Sequence, residues 1–218
     1  MSNPALQKCL VVVPMKDPSL SKTRLRGRLK DDQRKALAQL LFKRTLQTLL
    51  QARGDNHPAR FDLAVVTDSD EAAAIAAAQG VAVIEEGPAH SLSRALDTAA
   101  SWAEGQGYEA ICMFPADLAA PDASEINQFI GAGLQDGGGV LCPSTDMGTN
   151  ALFLAPPTAI NFSFGINSAT SHMAAIEQAG LVPRVMPLES LRFDIDTVSC
   201  LEKSLGQVPE VSNLLAQT

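Results

Sequence analysis

The chain has 218 residues, 46% of them hydrophobic, and a formal net charge of -7. That size and apolar content suffice for a sizeable core and favour one α/β domain over two small ones. The acidic balance argues against DNA or RNA as the main partner, because polyanion binding rests on neutralising many phosphates with Lys and Arg. No apolar stretch reaches the roughly 18 residues of a membrane span, and the N-terminus lacks a charged segment followed by a long apolar region. A cytoplasmic protein without a membrane partner is expected. Cys9, Cys112, Cys142 and Cys200 lie far apart with no C-x-x-C pair, and read as buried, reduced thiols. His57, His90 and His172 are scattered, so a zinc cluster is not expected.

Taken in order, the first apolar run, residues 9–13, reads as a buried strand that stops at Pro14. It releases a loop carrying Lys16, Ser21, Lys22, Thr23 and Arg24. Three cations and two hydroxyls at a strand end suit a ligand with several phosphate or carboxylate oxygens. The loop lacks both the G-x-x-x-x-G-K spacing and the G-x-G-x-x-G fingerprint, so P-loop hydrolysis and hydride transfer lose support. Further strands are predicted over 63–66, 81–84, 110–114, 139–142, 151–154 and 182–186. Helices are predicted between them over 32–53, 70–79, 93–104, 124–133 and 168–179, where apolar residues recur three and four apart. Regular alternation with near-continuous apolar strands implies a single-domain α/β fold, with a mostly parallel central sheet and helices on both faces. An irregular insertion is expected over about 142–168.

Ligands of such sheets bind beyond the carboxyl ends of the strands. Asp117, in Phe114-Pro115-Ala116-Asp117-Leu118, falls there, and suits either a metal ligand or the cap of the following turn. Asp194-Ile195-Asp196, if extended, points both carboxylates to one face and Ile195 to the core. Paired carboxylates repel unless a cation lies between them, which suits a hard divalent ion such as Mg²⁺; the alternative is a cap on a helix over 198–205. Gly148-Thr149-Asn150 and Phe164-Gly165-Ile166-Asn167-Ser168 could offer backbone N–H groups and hydroxyls to an anion. His172 reads as a surface or packing residue. These parts suit phosphoryl or nucleotidyl transfer.

Taken together, PMKDPSLSKTRL, FPADL, MGTNALFL, FGINS and DIDT resemble, in order, the motifs of the CofC/FbiD family. These are guanylyltransferases of coenzyme F-420 biosynthesis with the fold of the MobA-like nucleotidyltransferases. The resemblance implies transfer of GMP from GTP to 2-phospho-L-lactate, phosphoenolpyruvate or 3-phospho-D-glycerate, with release of pyrophosphate. It further implies that Lys16, Lys22 and Arg24 hold the GTP phosphates, and that Asp117, Asp194 and Asp196 bind Mg²⁺. Lys16 and Asp117 are the implied catalytic residues, and Thr149, Gly165 and Ser168 the implied acceptor-binding residues. Where the family shows a Gly-Leu-Asn segment near the nucleotide, this chain reads His90-Ser91-Leu92-Ser93-Arg94, whose serines retain hydrogen-bonding capacity. A downstream transferase would take the product, and a homodimer is compatible with this reading. A sugar-phosphate or molybdopterin-type acceptor, and a non-catalytic nucleotide-binding relative, are the competing readings.

Overall fold

The run Cys9–Pro14 forms β1, and its alternating side chains divide between two buried layers. Cys9, Val11 and Val13 pack on one face of the sheet, while Leu10 and Val12 pack on the other. The computed structural model describes residues 8–54, 61–87, 91–206 and 208–216, and throughout these the same logic holds. In chain order, β1 is followed by α1 (Asp31–Arg53), β2 (Asp62–Thr67), α2 (Asp70–Ala78), β3 (Ala82–Glu85), α3 (Leu92–Gly105) and β4 (Ala110–Met113). Then come α4 (Ala123–Asp136), β5 (Gly138–Pro143), β6 (Thr149–Ala155), α5 (Ser168–Gln178), β7 (Pro183–Val185), α6 (Val198–Leu205) and α7 (Pro209–Ala216).

The seven strands form one sheet in the order β3-β2-β1-β4-β6-β5-β7. β1, β2, β3 and β4 pair in parallel, as do β5 and β7, whereas β6 runs antiparallel to both β4 and β5. Helices α1, α2 and α4 cover one face, and α3 and α5 cover the other. This is the α/β fold the sequence predicts, with helices on both faces.

Two differences stand out. The stretch over 142–168 carries β6 through the interior of the sheet, since the residues of Thr149–Ala155 are all buried. Its irregular parts are the turns on either side. The last helix, α7, was not expected from periodicity, although Pro209 at its first position is a helix-start signal. It joins a third apolar cluster in which Leu25, Leu37, Leu41, Ile195, Leu201 and Val211 meet. Cys9, Cys112 and Cys142 are buried free thiols, but Cys200 is only partly covered because it lies on α6 at the edge of that cluster. Among the described residues, no helix is long and apolar enough to cross a membrane.

Packing of α4 on the sheet depends on Gly133. A Cβ there would lie 2.4 Å from the ring of Phe153, a fully buried residue of β6. Gly133→Ala gains about 1 kcal/mol of helix propensity but forces an overpacked core costing about 1–3 kcal/mol. The expected outcome is a lower melting temperature, read by thermal unfolding, rather than the gain an exposed helical glycine would give.

Candidate active site

The strand order reverses at the sheet centre: from β1 the chain first builds outward to β2 and β3, then from β4 toward β6, β5 and β7. Loops leaving β1 and β4 therefore diverge and open a crevice, the usual ligand position in such sheets. A cavity of about 730 Å³ lies there, within the range of small-molecule sites. Lys16, Lys22, Asp117, Thr149, Asp194 and Asp196 all line it. Arg24, Gly165 and Ser168 do not.

The cationic loop is fixed at several points. Asp17 accepts from Ser19 N–H at 2.8 Å, which turns the chain, and from Ser69 Oγ at 3.2 Å. These hydrogen bonds hold the Asp17 carboxyl below the usual carboxylate range, the Ser19 bonds having the largest effect. Ser69 itself caps α2, so the loop is tied to the end of β2. Arg34, 2% exposed on α1, donates to the Ser21 carbonyl at 2.8 Å and to Asp31 at 2.6 Å. The next residue, Lys22, adopts a left-handed backbone with φ 54° and is 5% exposed, so it is no solvated surface residue. Its ammonium forms an ion pair with Asp117. Arg24 remains largely exposed and reaches the cavity only by its 2.8 Å bond to Asp196. Such an exposed pair contributes little to stability.

The acidic residues converge through the backbone. Leu118 and Asp194 form an antiparallel bridge, flanked by Ile195 N–H to the Asp117 carbonyl at 3.2 Å and Ala119 N–H to the Phe193 carbonyl at 2.9 Å. Leu118 and Ile195 are fully buried, so alternation turns Asp117, Asp194 and Asp196 the other way, into the cavity. The Asp194 carboxyl is pushed up from 3.8 to about 6, first by burial and then by the charge of Asp117, against a 3.2 Å bond from Asn150 Nδ2 that favours ionisation. Capping roles fall to neighbours: Asp122 caps α4 and Thr197 caps α6, leaving Asp117 and Asp196 for the cavity.

The three aspartates are not gathered into a ready metal cluster. Among the described residues, no three His, Cys, Asp or Glu side chains stand close enough to hold an ion. The reason is visible in their partners, since Lys22 takes Asp117, Arg24 takes Asp196 and Asn150 takes Asp194. As a donor set they still suit a hard divalent cation, because the charge of Asp117 adds to the cost of ionising Asp194, a cost that a cation between them would relieve.

On the far side of the crevice, Thr149 at the start of β6 meets Ser168 at the start of α5, with 3.2 Å between their hydroxyl oxygens. Gly165, with φ 150°, closes a turn in which Ser168 N–H donates to its carbonyl at 3.2 Å. His172 is fully buried, which fits packing and excludes a surface position. Ser91 and Leu92 line the cavity, with Ser91 Oγ capping α3 and Ser93 Oγ accepting from Phe164 N–H at 3.0 Å. His90 lies outside the described residues. Sequence reasoning assigned no role to Asp17, Ser69 or Arg34. Only a charged residue spaced at core positions on α1 could have singled out Arg34.

Comparison with known proteins places the chain in a family. Residues 9–205 match the family described as "Guanylyl transferase CofC like". A 3-phospho-D-glycerate guanylyltransferase of Colwellia psychrerythraea is 38% identical over 192 residues, 88% of this chain and 89% of its own. A phosphoenolpyruvate guanylyltransferase of Sphaerobacter thermophilus is 33% identical over 201 residues, 92% of this chain and 94% of its own. Among solved structures, a putative nucleotide-diphospho-sugar transferase of Desulfovibrio desulfuricans superposes with a TM-score of 0.71 at 17% identity, over 97% of this chain and 98% of that one, a likeness of fold. With its sheet, its crevice between β1 and β4 and a family match across nearly its whole length, the chain belongs to the CofC-like guanylyltransferases, a family of nucleotidyltransferases.

Proposed function

We propose that this protein transfers GMP from GTP to a small phosphorylated carboxylic acid, releasing pyrophosphate, as a step of coenzyme F-420 biosynthesis. The observation that carries the reading is the crevice between β1 and β4, with side-chain cations from one loop facing carboxylates from the other. Of the candidate acceptors, 3-phospho-D-glycerate is placed first, on the strength of the 38% identical relative named for that acid; phosphoenolpyruvate and 2-phospho-L-lactate follow.

In the reaction, a phosphate oxygen of the acceptor attacks the α-phosphorus of GTP in line. The bond from that phosphorus to the bridging oxygen breaks, and pyrophosphate leaves. The acceptor phosphate is already ionised near neutral pH, so no side chain need act as general base. Lys16 and Lys22 bind the triphosphate and neutralise charge as it moves to the leaving group, with Arg24 at the cavity edge. Thr149 holds the acceptor from the cavity wall, with Ser168 and the turn at Gly165 supporting it from behind. Mg²⁺ would be held by Asp117, Asp194 and Asp196, and supplies Lewis-acid neutralisation of phosphate charge.

The direct test combines purified protein, Mg²⁺, GTP or ATP and each of the three acids, read as pyrophosphate release. GTP with 3-phospho-D-glycerate is expected to respond, and silence with every acid sinks the proposal.

The carboxylate of Asp117 also balances the buried Lys22 ammonium. Asp117→Asn removes its ion-pair partner and is expected to cost on the order of 2 kcal/mol in addition to reducing kcat by orders of magnitude. Lys22→Met together with Asp117→Asn is expected to recover most of the stability in urea titrations without recovering turnover.

Asp194 gives the opposite sign. Its folded pKa is raised, so the favourable contribution of the protonated form is present below about pH 4 and is lost as pH rises through about 6. In metal-free protein, Asp194→Asn is therefore expected to raise the melting temperature at about pH 7 and to have much less effect near pH 4, while abolishing activity. Equal shifts at both pH values would contradict this.

A further inference from the structure

The hydroxyl pair on the acceptor side of the crevice presents a problem of proton accounting, and a buried histidine solves it. His172, on the first turns of α5, is fully buried beneath Phe162 and Phe164, whose rings meet it edge-on at centroid distances of 6.4 and 4.9 Å. Ser163 N–H donates to His172 Nε2 at 3.0 Å. A backbone amide can only donate, so Nε2 carries no proton. Burial lowers the pKa of the ring to about 4, so near neutral pH the imidazole holds a single proton. That proton is on Nδ1, which lies 3.0 Å from Thr149 Oγ1 and donates to it.

Thr149 and Ser168 together own two hydroxyl protons, and one of them is used in the 3.2 Å bond between their oxygens. Ser168 Oγ donates it, so Thr149 Oγ1 accepts from both Ser168 and His172, and the proton left over is that of Thr149, which lines the cavity where Ser168 does not. With the other tautomer, Thr149 would give its proton to Nδ1 and Ser168 would give its own to Thr149. The pair would then show only lone pairs to the crevice, which repel an anion. The tautomer is in turn fixed from α3, since Ser93 Oγ accepts from Phe164 N–H at 3.0 Å and Asp97 accepts from Phe162 N–H at 2.9 Å. These bonds hold the segment that presents Ser163 N–H to the ring.

We infer that His172 is a positioning residue: its Nδ1–H donates to Thr149 Oγ1 and so reserves one hydroxyl proton of the Thr149–Ser168 pair for the anionic group of the acceptor. The inference rests on the acceptor-side reading given under Proposed function. It assigns His172 no contact with substrate.

Two measurements test it. Nitrogen-15 NMR of histidine-labelled protein at pH 7, with the signal of His172 identified by its loss in His172→Asn, is expected to show a protonated Nδ1 and a bare Nε2. An Nε2–H tautomer overturns the inference. Steady-state kinetics then separate the ring nitrogens, because the amide nitrogen of Asn can take the place of Nδ1, whereas Gln reaches the place of Nε2. His172→Gln is expected to raise the acceptor KM about tenfold, the loss of one hydrogen bond to a charged group, and to leave the GTP KM in place. His172→Asn is expected to recover most of that loss. Equal effects of Asn and Gln on both KM values and on melting temperature mean a purely structural histidine, and overturn it. Thr149→Val separates the two levels of the argument. If it leaves the acceptor KM unchanged, the acceptor-side reading itself fails; if it raises that KM while His172→Gln does not, only the role of His172 fails.

Discussion

A backbone bridge that sets Asp117 beside the more deeply buried Asp194 makes charge on Asp194 costly unless cations stand near it. The bridge between Leu118 and Asp194 imposes that condition, and much of the surrounding structure answers to it. Lys22 is drawn out of solvent to Asp117, Arg24 reaches across to Asp196, and Asn150 donates to Asp194. Even so, Asp194 remains hard to ionise, because burial and the charge of Asp117 outweigh the amide bond. A crevice in that condition has carboxylates poised for a cation and cations poised for an anion, which are the two needs of a metal-bound triphosphate.

Holding the two loops face to face falls to apolar contacts behind them. Leu25 follows the cationic segment and Ile195 lies between the two aspartates, and both are fully buried in the cluster that α1, α6 and α7 close. The C-terminal helices thus act on the site without touching it. Arg34 adds a polar bolt from α1 to the Ser21 carbonyl, one residue before Lys22. Such a bolt is costly to desolvate, but a loop carrying several like charges will not hold its shape by packing alone.

What the sequence discloses and what it withholds follow a physical division. Strands such as Cys9–Pro14 and helices such as Asp31–Arg53 are read from local periodicity, because two buried faces demand apolar runs and one buried face demands a stripe. Asp194-Ile195-Asp196 is legible for the same reason, since alternation alone sends Ile195 inward. The place of β6 is not, because direction and neighbour are set by pairing with β4 and β5, far away along the chain. The burial of Lys22 and Arg34 is withheld likewise: a lysine in a polar loop looks solvated until Asp117, 95 residues on, is brought beside it. His172 reads as packing until the direction of one amide, Ser163 N–H, gives its ring a handedness.

The left-handed backbone at Lys22 has a consequence for how the protein could change. A lysine in that conformation is strained by about 1 kcal/mol relative to glycine, which enters the region freely. Glycine there would relax the chain, but it would also strip Asp117 of its cation beside Asp194 and empty the space that the lysine side chain fills. At position 22 the strained backbone is thus kept in place by the same ion pair that sets a cation against the triphosphate.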